Sequence, residues 1–254
     1  MTIKSDSWIS KKCQEKVFEL TVTHSKVATL DKPMRPVVLT LDELKSYPVA
    51  WMHANTLEVG ETITIEHEHV SIKRIDYCPM IAPFERESVN KLVIDGVERK
   101  IPSYGLSSYG YDIRLGRNFK IFKVMPGVVD MLNPPADLCA EENDVTSIVV
   151  PPLGMVLGVS VEKISMPRNV TATCMAKSTL ARLGLSAQVT PLEAGWSGFI
   201  TLEIFNMTQN AVRLYSGIGI MQLTFHESEQ CDVSYADRGG KYMDQPASPV
   251  EARL

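Results

Sequence analysis

From Phe119 to Phe225 the chain is a succession of short runs rich in β-branched and aromatic residues, separated by Gly, Pro, Asn and Asp. The runs are Phe119 to Val124, Ser147 to Val150, Met155 to Val161, Val170 to Met175, Phe199 to Phe205, Ala211 to Tyr215 and Ile218 to Phe225. Such runs, short and at roughly regular spacing, predict a mostly β unit, either a sandwich or a closed barrel. Only Ser178 to Leu183 has helical texture in this half. With 254 residues, 44% of them hydrophobic, there is enough chain to bury such a core without disulfides or metals.

The N-terminal part is patterned differently. Ser5 or Asp6 can cap a helix in which Ile9, Cys13 and Val17 recur at every fourth position, which predicts one amphipathic helix within residues 1–17. Over residues 18–75, alternation in Thr62-Ile63-Thr64-Ile65 and Val70-Ser71-Ile72-Lys73 predicts short strands, and Leu41 to Tyr47 predicts a helical turn or two. This stretch reads as an inserted β-rich module without an assigned role. Residues 76–254 form the main domain, and the tail from Gly239, rich in Gly, Pro and charge, has the composition of a frayed terminus.

Charge and cysteine usage narrow the function classes. Twenty-six Lys and Arg stand against thirty Asp and Glu, a net charge of -4, so a broad grip on a nucleic-acid polymer is not expected and an anionic ligand would need a focal pocket. Cys13, Cys78, Cys139, Cys174 and Cys231 are scattered and odd in number, without a Cys-x-x-Cys pair, which argues against a disulfide framework and a structural zinc site. The first residues lack the apolar core of a signal peptide, and Pro151, Pro152, Gly154 and Gly158 break the most apolar stretch. A cytoplasmic protein with no membrane span is expected.

Four segments can carry chemistry. In Lys177-Ser178-Thr179-Leu180-Ala181-Arg182 a helix would place Ser178 and Arg182 on one face beside free backbone N–H groups, which is either a compact phosphate site or a capped surface helix with solvated Lys177 and Arg182. On the strand from Phe199 to Asn206, Ile200, Leu202 and Ile204 share one face while Thr201 and Glu203 alternate with Phe199 and Phe205 on the other. A carboxylate between aromatics would be poorly solvated and suited to proton transfer, unless that face is open to solvent. Asp112 and Arg114 follow a tight turn rich in Ser, Gly and Tyr, where an ion pair fixing the loop is the simpler role. His67-Glu68-His69 offers only two ligands on one strand face, the others (His24, His53, His226) are unpaired, and no metal site is expected.

Taken in order, these segments resemble the dCTP deaminases of the trimeric dUTPase superfamily. The resemblance runs through Ser107-Ser108-Tyr109-Gly110-Tyr111-Asp112-Ile113-Arg114-Leu115-Gly116, Lys177 to Leu185, Val189-Thr190-Pro191-Leu192-Glu193-Ala194-Gly195-Trp196-Ser197-Gly198 on to Glu203, and Gly240-Lys241-Tyr242 to Gln245. It implies a distorted β-barrel or jelly-roll of the dUTPase-like type, assembled as a homotrimer with active sites between subunits. By the same resemblance Glu203 is the catalytic carboxylate, while Ser178 and Arg182 come from the neighbouring chain to serve the triphosphate, with Lys177 and Thr179 beside them. Backbone groups near Thr190 and Pro191 read the base. Tyr235, Lys241 and Gln245, in a lid over residues 235–254, close over the nucleotide.

The implied reaction converts dCTP to dUTP and ammonia. Known zinc deaminases carry H-x-E and P-C-x-x-C signatures; this sequence has neither, so a zinc-independent reaction is expected, with Mg2+ riding on the nucleotide phosphates. Two alternatives stand beside it. Glu193 occupies a place where relatives often carry Asp, the residue type with which dUTPases activate water, so a bifunctional deaminase and dUTP diphosphatase forming dUMP is one. A non-catalytic nucleotide-binding regulator is the other.

Overall fold

The computed structural model describes residues 2–13 and 79–253, together with the backbone of four strands between them. The chain divides into two compact units, Met1–Ser10 with Met80–Leu254, and Lys11–Pro79.

In the second unit β2 (Val17–Val22), β3 (Val37–Thr40), β4 (Thr62–Ile65) and β5 (Val70–Arg74) form an antiparallel sheet in the order β3-β2-β5-β4. The strands expected at Thr62 and Val70 are there. The predicted turns at Leu41 to Tyr47, the His67-Glu68-His69 run, His24 and His53 lie outside the described residues. The N-terminal helix α1 covers Asp6–Lys12, with the Ile9 amide donating to the Ser5 carbonyl at 3.0 Å, and is shorter than the predicted span. Val17, placed on the helix by the four-residue spacing, instead opens β2, because Val17-Phe18-Glu19-Leu20-Thr21-Val22 carries a two-residue alternation rich in β-branched side chains.

The larger unit is built from antiparallel sheets. One has the order β1-β18-β9-β8-β7, where β1 is Thr2–Ile3, β7 is Val89–Ile94, β8 is Val97–Ser107, β9 is Gly110–Arg114 and β18 is Gly219–Glu227; β14 (Val170–Ala176) also pairs with β18. The other has the order β11-β10-β13-β16-β15, with β10 at Phe119–Phe122, β11 at Cys139–Glu142, β13 at Met155–Ser165, β15 at Leu185–Gln188 and β16 at Ser197–Asn206; β6 (Ile81–Ala82) also joins β13. A smaller pair joins β12 (Ser147–Val150) to β17 (Val212–Tyr215). Tyr111, Ile113, Phe119, Val156, Leu202, Ile204, Leu223 and Phe225 are buried in the core they enclose. Every run predicted from Phe119 onward is a strand, within a few residues of its expected ends.

The two large sheets are joined where β9 ends. Leu115 bridges to Ser160 on β13, and the Gly116 amide donates to the Val159 carbonyl at 2.7 Å. A Cβ on Gly116 would stand 2.7 Å from that same oxygen, so this crossing needs glycine. Here β13 carries a bulge between Val159 and Lys163. The Ser160 hydroxyl repairs the interrupted ladder, accepting the Ile200 amide at 2.8 Å and donating to the Glu162 carbonyl at 2.6 Å.

The bulge turns Glu162 inward, where it is fully buried and takes both the backbone N–H (2.8 Å) and Nε (2.7 Å) of Arg114. Burial pushes the Glu162 carboxyl above the usual carboxylate range against the pull of Arg114, while Arg114 stacks over Tyr104 at 4.8 Å. The expected Asp112–Arg114 ion pair does not form, since each binds elsewhere, Asp112 to Lys177 and Arg114 to Glu162.

Because removing Arg114 strands a fully buried carboxyl at the sheet junction, Arg114→Met is expected to lower the unfolding free energy by about 3 kcal/mol, read from urea denaturation. The double variant Glu162→Leu with Arg114→Met is expected to lose less than the single one.

Candidate active site

A cavity of about 400 Å³ opens on the β13–β16 face of the larger unit. Its floor comes from Phe122 on β10 and from Met155 and Leu157 on β13, and one wall from Ile200, Thr201 and Glu203 on β16. The loop from Val189 to Glu193, with Trp196, forms the rim, and the C-terminal tail supplies the outer side through Tyr235, Tyr242, Gln245, Val250 and Ala252.

Glu203 is placed by strand register. It stands opposite Leu157 on β13 and Gln188 on β15, so its carboxylate shares a face with a buried leucine. Desolvation by these surroundings raises its proton affinity above the ordinary glutamate range, and its own backbone N–H offsets this only in part. No cationic side chain among the described residues pairs with it.

The tail is seated on β16 by backbone pairing, contrary to the frayed terminus its composition suggested. Asp244 N–H donates to the Ser197 carbonyl at 2.8 Å and Phe199 N–H to the Gln245 carbonyl at 3.0 Å, around a parallel bridge between Gly198 and Gln245. Gly198 has φ 151°, and a Cβ there would lie 2.7 Å from the Gln245 nitrogen; glycine is what lets the tail approach. Trp196 Nε1 donates to the Tyr242 carbonyl (2.8 Å), Asn118 to Ala247 (2.8 Å), and Lys120 pairs with Glu251 (2.7 Å). At the tail's origin Arg168 binds Asp237 at 2.7 Å and the Asp232 carbonyl at 3.0 Å, while the Tyr235 amide donates to Ala194 at 2.9 Å.

Of the predicted site residues, Glu203, Thr190, Pro191, Tyr235 and Gln245 meet on this one cavity, and Lys177, Ser178, Thr179, Arg182 and Lys241 do not line it. Ser178 and Arg182 sit on the short helix α2 (Ser178–Arg182), where Arg182 Nη1 donates to Ser178 Oγ at 3.2 Å, as their four-residue spacing predicts. Both are exposed, as is Thr179, and only Leu180 of this helix faces the core. Lys177 precedes the helix and is committed to Asp112 (2.5 Å) and Ser103 (3.2 Å). Lys241 donates to the Arg253 carbonyl at 2.6 Å. His226 meets Thr173 at 3.2 Å. Among the described residues no three His, Cys, Asp or Glu side chains stand together to hold a metal ion, and no helix is long and apolar enough to cross a membrane.

The sequence reading missed Thr201, Trp196, Tyr242 and Val250 as parts of the site. Trp196 and Tyr242 lay within segments already singled out, but Phe122 and Met155 gave no local signal, because only sheet pairing brings them to Glu203.

Comparison with known proteins shows the family. Residues 81–228 match the dCTP deaminase-like family model. A dCTP deaminase of Chromobacterium violaceum is 43% identical over 172 residues, covering 67% of this chain and 89% of the relative. One of Neisseria meningitidis is 43% identical over 169 residues, covering 65% of this chain and 87% of the relative. The crystal structure of a 2'-deoxycytidine 5'-triphosphate deaminase from Agrobacterium tumefaciens superposes with a TM-score of 0.41 at 18% identity, over 48% of this chain and 39% of that one.

The raised proton affinity of Glu203 fixes the sign of its effect on stability. Its folded-state pKa lies above the unfolded one, so the contribution to stability is present in acid and is lost as pH rises through the folded value. Glu203→Gln is therefore expected to melt above the wild type at pH 7, the gap closing as pH falls below the ordinary glutamate range, read by calorimetry across pH.

Proposed function

We propose that this chain, which belongs to the dCTP deaminase family, replaces the amine on the cytosine ring of dCTP with oxygen, releasing dUTP and ammonia. The observation that carries the reading is Glu203, a desolvated carboxylate without a cationic partner among the described residues, on the wall of a cavity large enough to admit a base. Such a group holds a proton more readily than an ordinary glutamate, which suits one side chain to a reaction with several proton transfers.

The steps balance on that single group. Glu203 takes a proton from water as the water oxygen bonds to C4, and passes it to the ring nitrogen N3. C4 is then tetrahedral, carrying a hydroxyl and the amine. Glu203 next moves the hydroxyl proton to the amine, the C–N bond breaks with its electron pair leaving on ammonia, and the C4 carbonyl forms. The apolar floor from Leu157 and Met155 keeps bulk water from competing for the carboxylate. Backbone groups at Thr190 and Pro191 lie on the rim where the base edge would be read.

The triphosphate is assigned to Ser178 and Arg182, with Thr179 and Lys177 beside them. These groups lie off the cavity of their own chain, and supply from a neighbouring copy in a homotrimer completes the site. Tyr235, Lys241 and Gln245 close the outer side, and Lys241 exchanges the Arg253 carbonyl for the nucleotide when it does so. Mg2+ would be held by the triphosphate oxygens, where it would offset their charge beside Ser178 and Arg182. The enzyme works in the cytoplasm. Glu193 is held by Arg238, an engagement that favours deamination alone over an added diphosphatase step.

Incubating the protein with dCTP and Mg2+ is expected to release one ammonia per dUTP formed, with no pyrophosphate; absence of ammonia would refute the proposal. Glu203→Gln is expected to lose turnover by about 10³-fold, about 4 kcal/mol in activation free energy, while still binding dCTP. The shared site has its own test. Glu203→Gln and Arg182→Ala are each expected to be inactive, whereas co-assembly of equal amounts is expected to restore roughly one quarter of wild-type activity, the statistical share of sites with both groups intact. If mixing restores nothing, the two groups belong to the same chain's site.

A further inference from the structure

We infer that Thr201 is a positioning residue that determines which end of the Gln245 amide faces the nucleotide. The inference rests on the reading that this cavity holds dCTP. Thr201 is buried on β16, two residues from Glu203 and thus on the same face of the strand. Its hydroxyl accepts the Val250 N–H at 3.0 Å and donates its proton to Oε1 of Gln245 at 2.7 Å. The hydroxyl has one proton, and that proton is now spent.

An amide carries one acceptor oxygen and one nitrogen with two donor hydrogens, and its two orientations are nearly equal in shape. Only the hydrogen bond at one end selects between them. With Oε1 held by Thr201, Nε2 is the free end, and no acceptor among the described residues takes its hydrogens. The backbone of Gln245 is itself pinned to β16 by the Phe199 amide at 3.0 Å and by the bridge to Gly198. Gln245 therefore presents a fixed N–H donor at the cavity wall, suited to an acceptor oxygen of the bound nucleotide.

The sense of the relay follows from the Val250 amide. A backbone N–H can only donate, so it occupies a lone pair of the Thr201 oxygen and leaves the hydroxyl proton for Gln245. Val250 lies in the same tail as Gln245, so the tail sets the orientation of its own amide through a strand hydroxyl, and only when both of its segments are seated.

Thr201→Val keeps the shape and removes the relay. It is expected to raise KM for dCTP about tenfold, the loss of roughly one hydrogen bond, with a smaller change in kcat. Thr201→Ser restores the hydroxyl and is expected to restore KM. Gln245→Ala is expected to match Thr201→Val, and the two substitutions together to cost no more than Gln245→Ala alone, since both remove the same donor. A KM for Thr201→Val within about twofold of wild type, or effects that multiply in the double variant, would overturn the inference. Calorimetric binding of dCTP to Glu203→Gln, with and without Thr201→Val, makes the comparison without turnover. Weaker binding upholds the role of Thr201 even if the wild type releases no ammonia, an outcome that counts only against deamination; unchanged binding sinks the role of Thr201 even if deamination proceeds.

Discussion

The pairing of β13 with β16 sets everything at the cavity. It places Leu157 opposite Glu203 and Val159 opposite Thr201, so the carboxylate lies over apolar surface and the hydroxyl lies beside it on the same face. A slip of one residue would turn both polar groups to the other side of the sheet and put Leu202 and Ile204 in the cavity. The bulge between Val159 and Lys163 confines that register to the upper half of the strand and lets the lower half follow its own alignment with Ser197 to Phe199. The tail then seats on the lower half.

Two desolvated carboxylates show how surroundings divide roles between identical side chains. Burial drives both Glu162 and Glu203 toward the protonated form. Glu162 has a guanidinium and a backbone amide within hydrogen-bonding distance, and it ties two sheets together at a corner. Glu203 has only its own backbone N–H and faces a cavity. A structural carboxylate is one whose charge is answered by the protein, while a carboxylate left unanswered is available to substrate.

The tail carries few apolar residues, yet it forms one side of the cavity because it borrows hydrogen-bonding capacity from elsewhere. β16 offers backbone groups at Ser197 and Phe199, Trp196 offers an indole N–H, and Lys120 and Asn118 reach it from the β10 region. Composition measures how much surface a segment can bury, and it is blind to a strand edge waiting for a partner. That is why a segment read as frayed is seated.

The sequence alone determined the class of fold and singled out Glu203 as a candidate acid. Strands follow from β-branched alternation within a few residues, and the period of a strand sets Glu203 between Phe199 and Phe205, where it is either poorly solvated or open to solvent. The four-residue step from Ser178 to Arg182 likewise foretold their hydrogen bond. Where the sequence erred, as in carrying α1 on to Val17, two periodicities overlapped and the local one prevailed. Tertiary structure alone decided that Asp112 answers Lys177 and Arg114 answers Glu162, that Phe122 and Met155 floor the cavity, and that Thr201 holds the Gln245 amide. Periodicity is a property of neighbours along the chain, whereas these contacts join residues 40 or more positions apart and exist only once the sheets have paired.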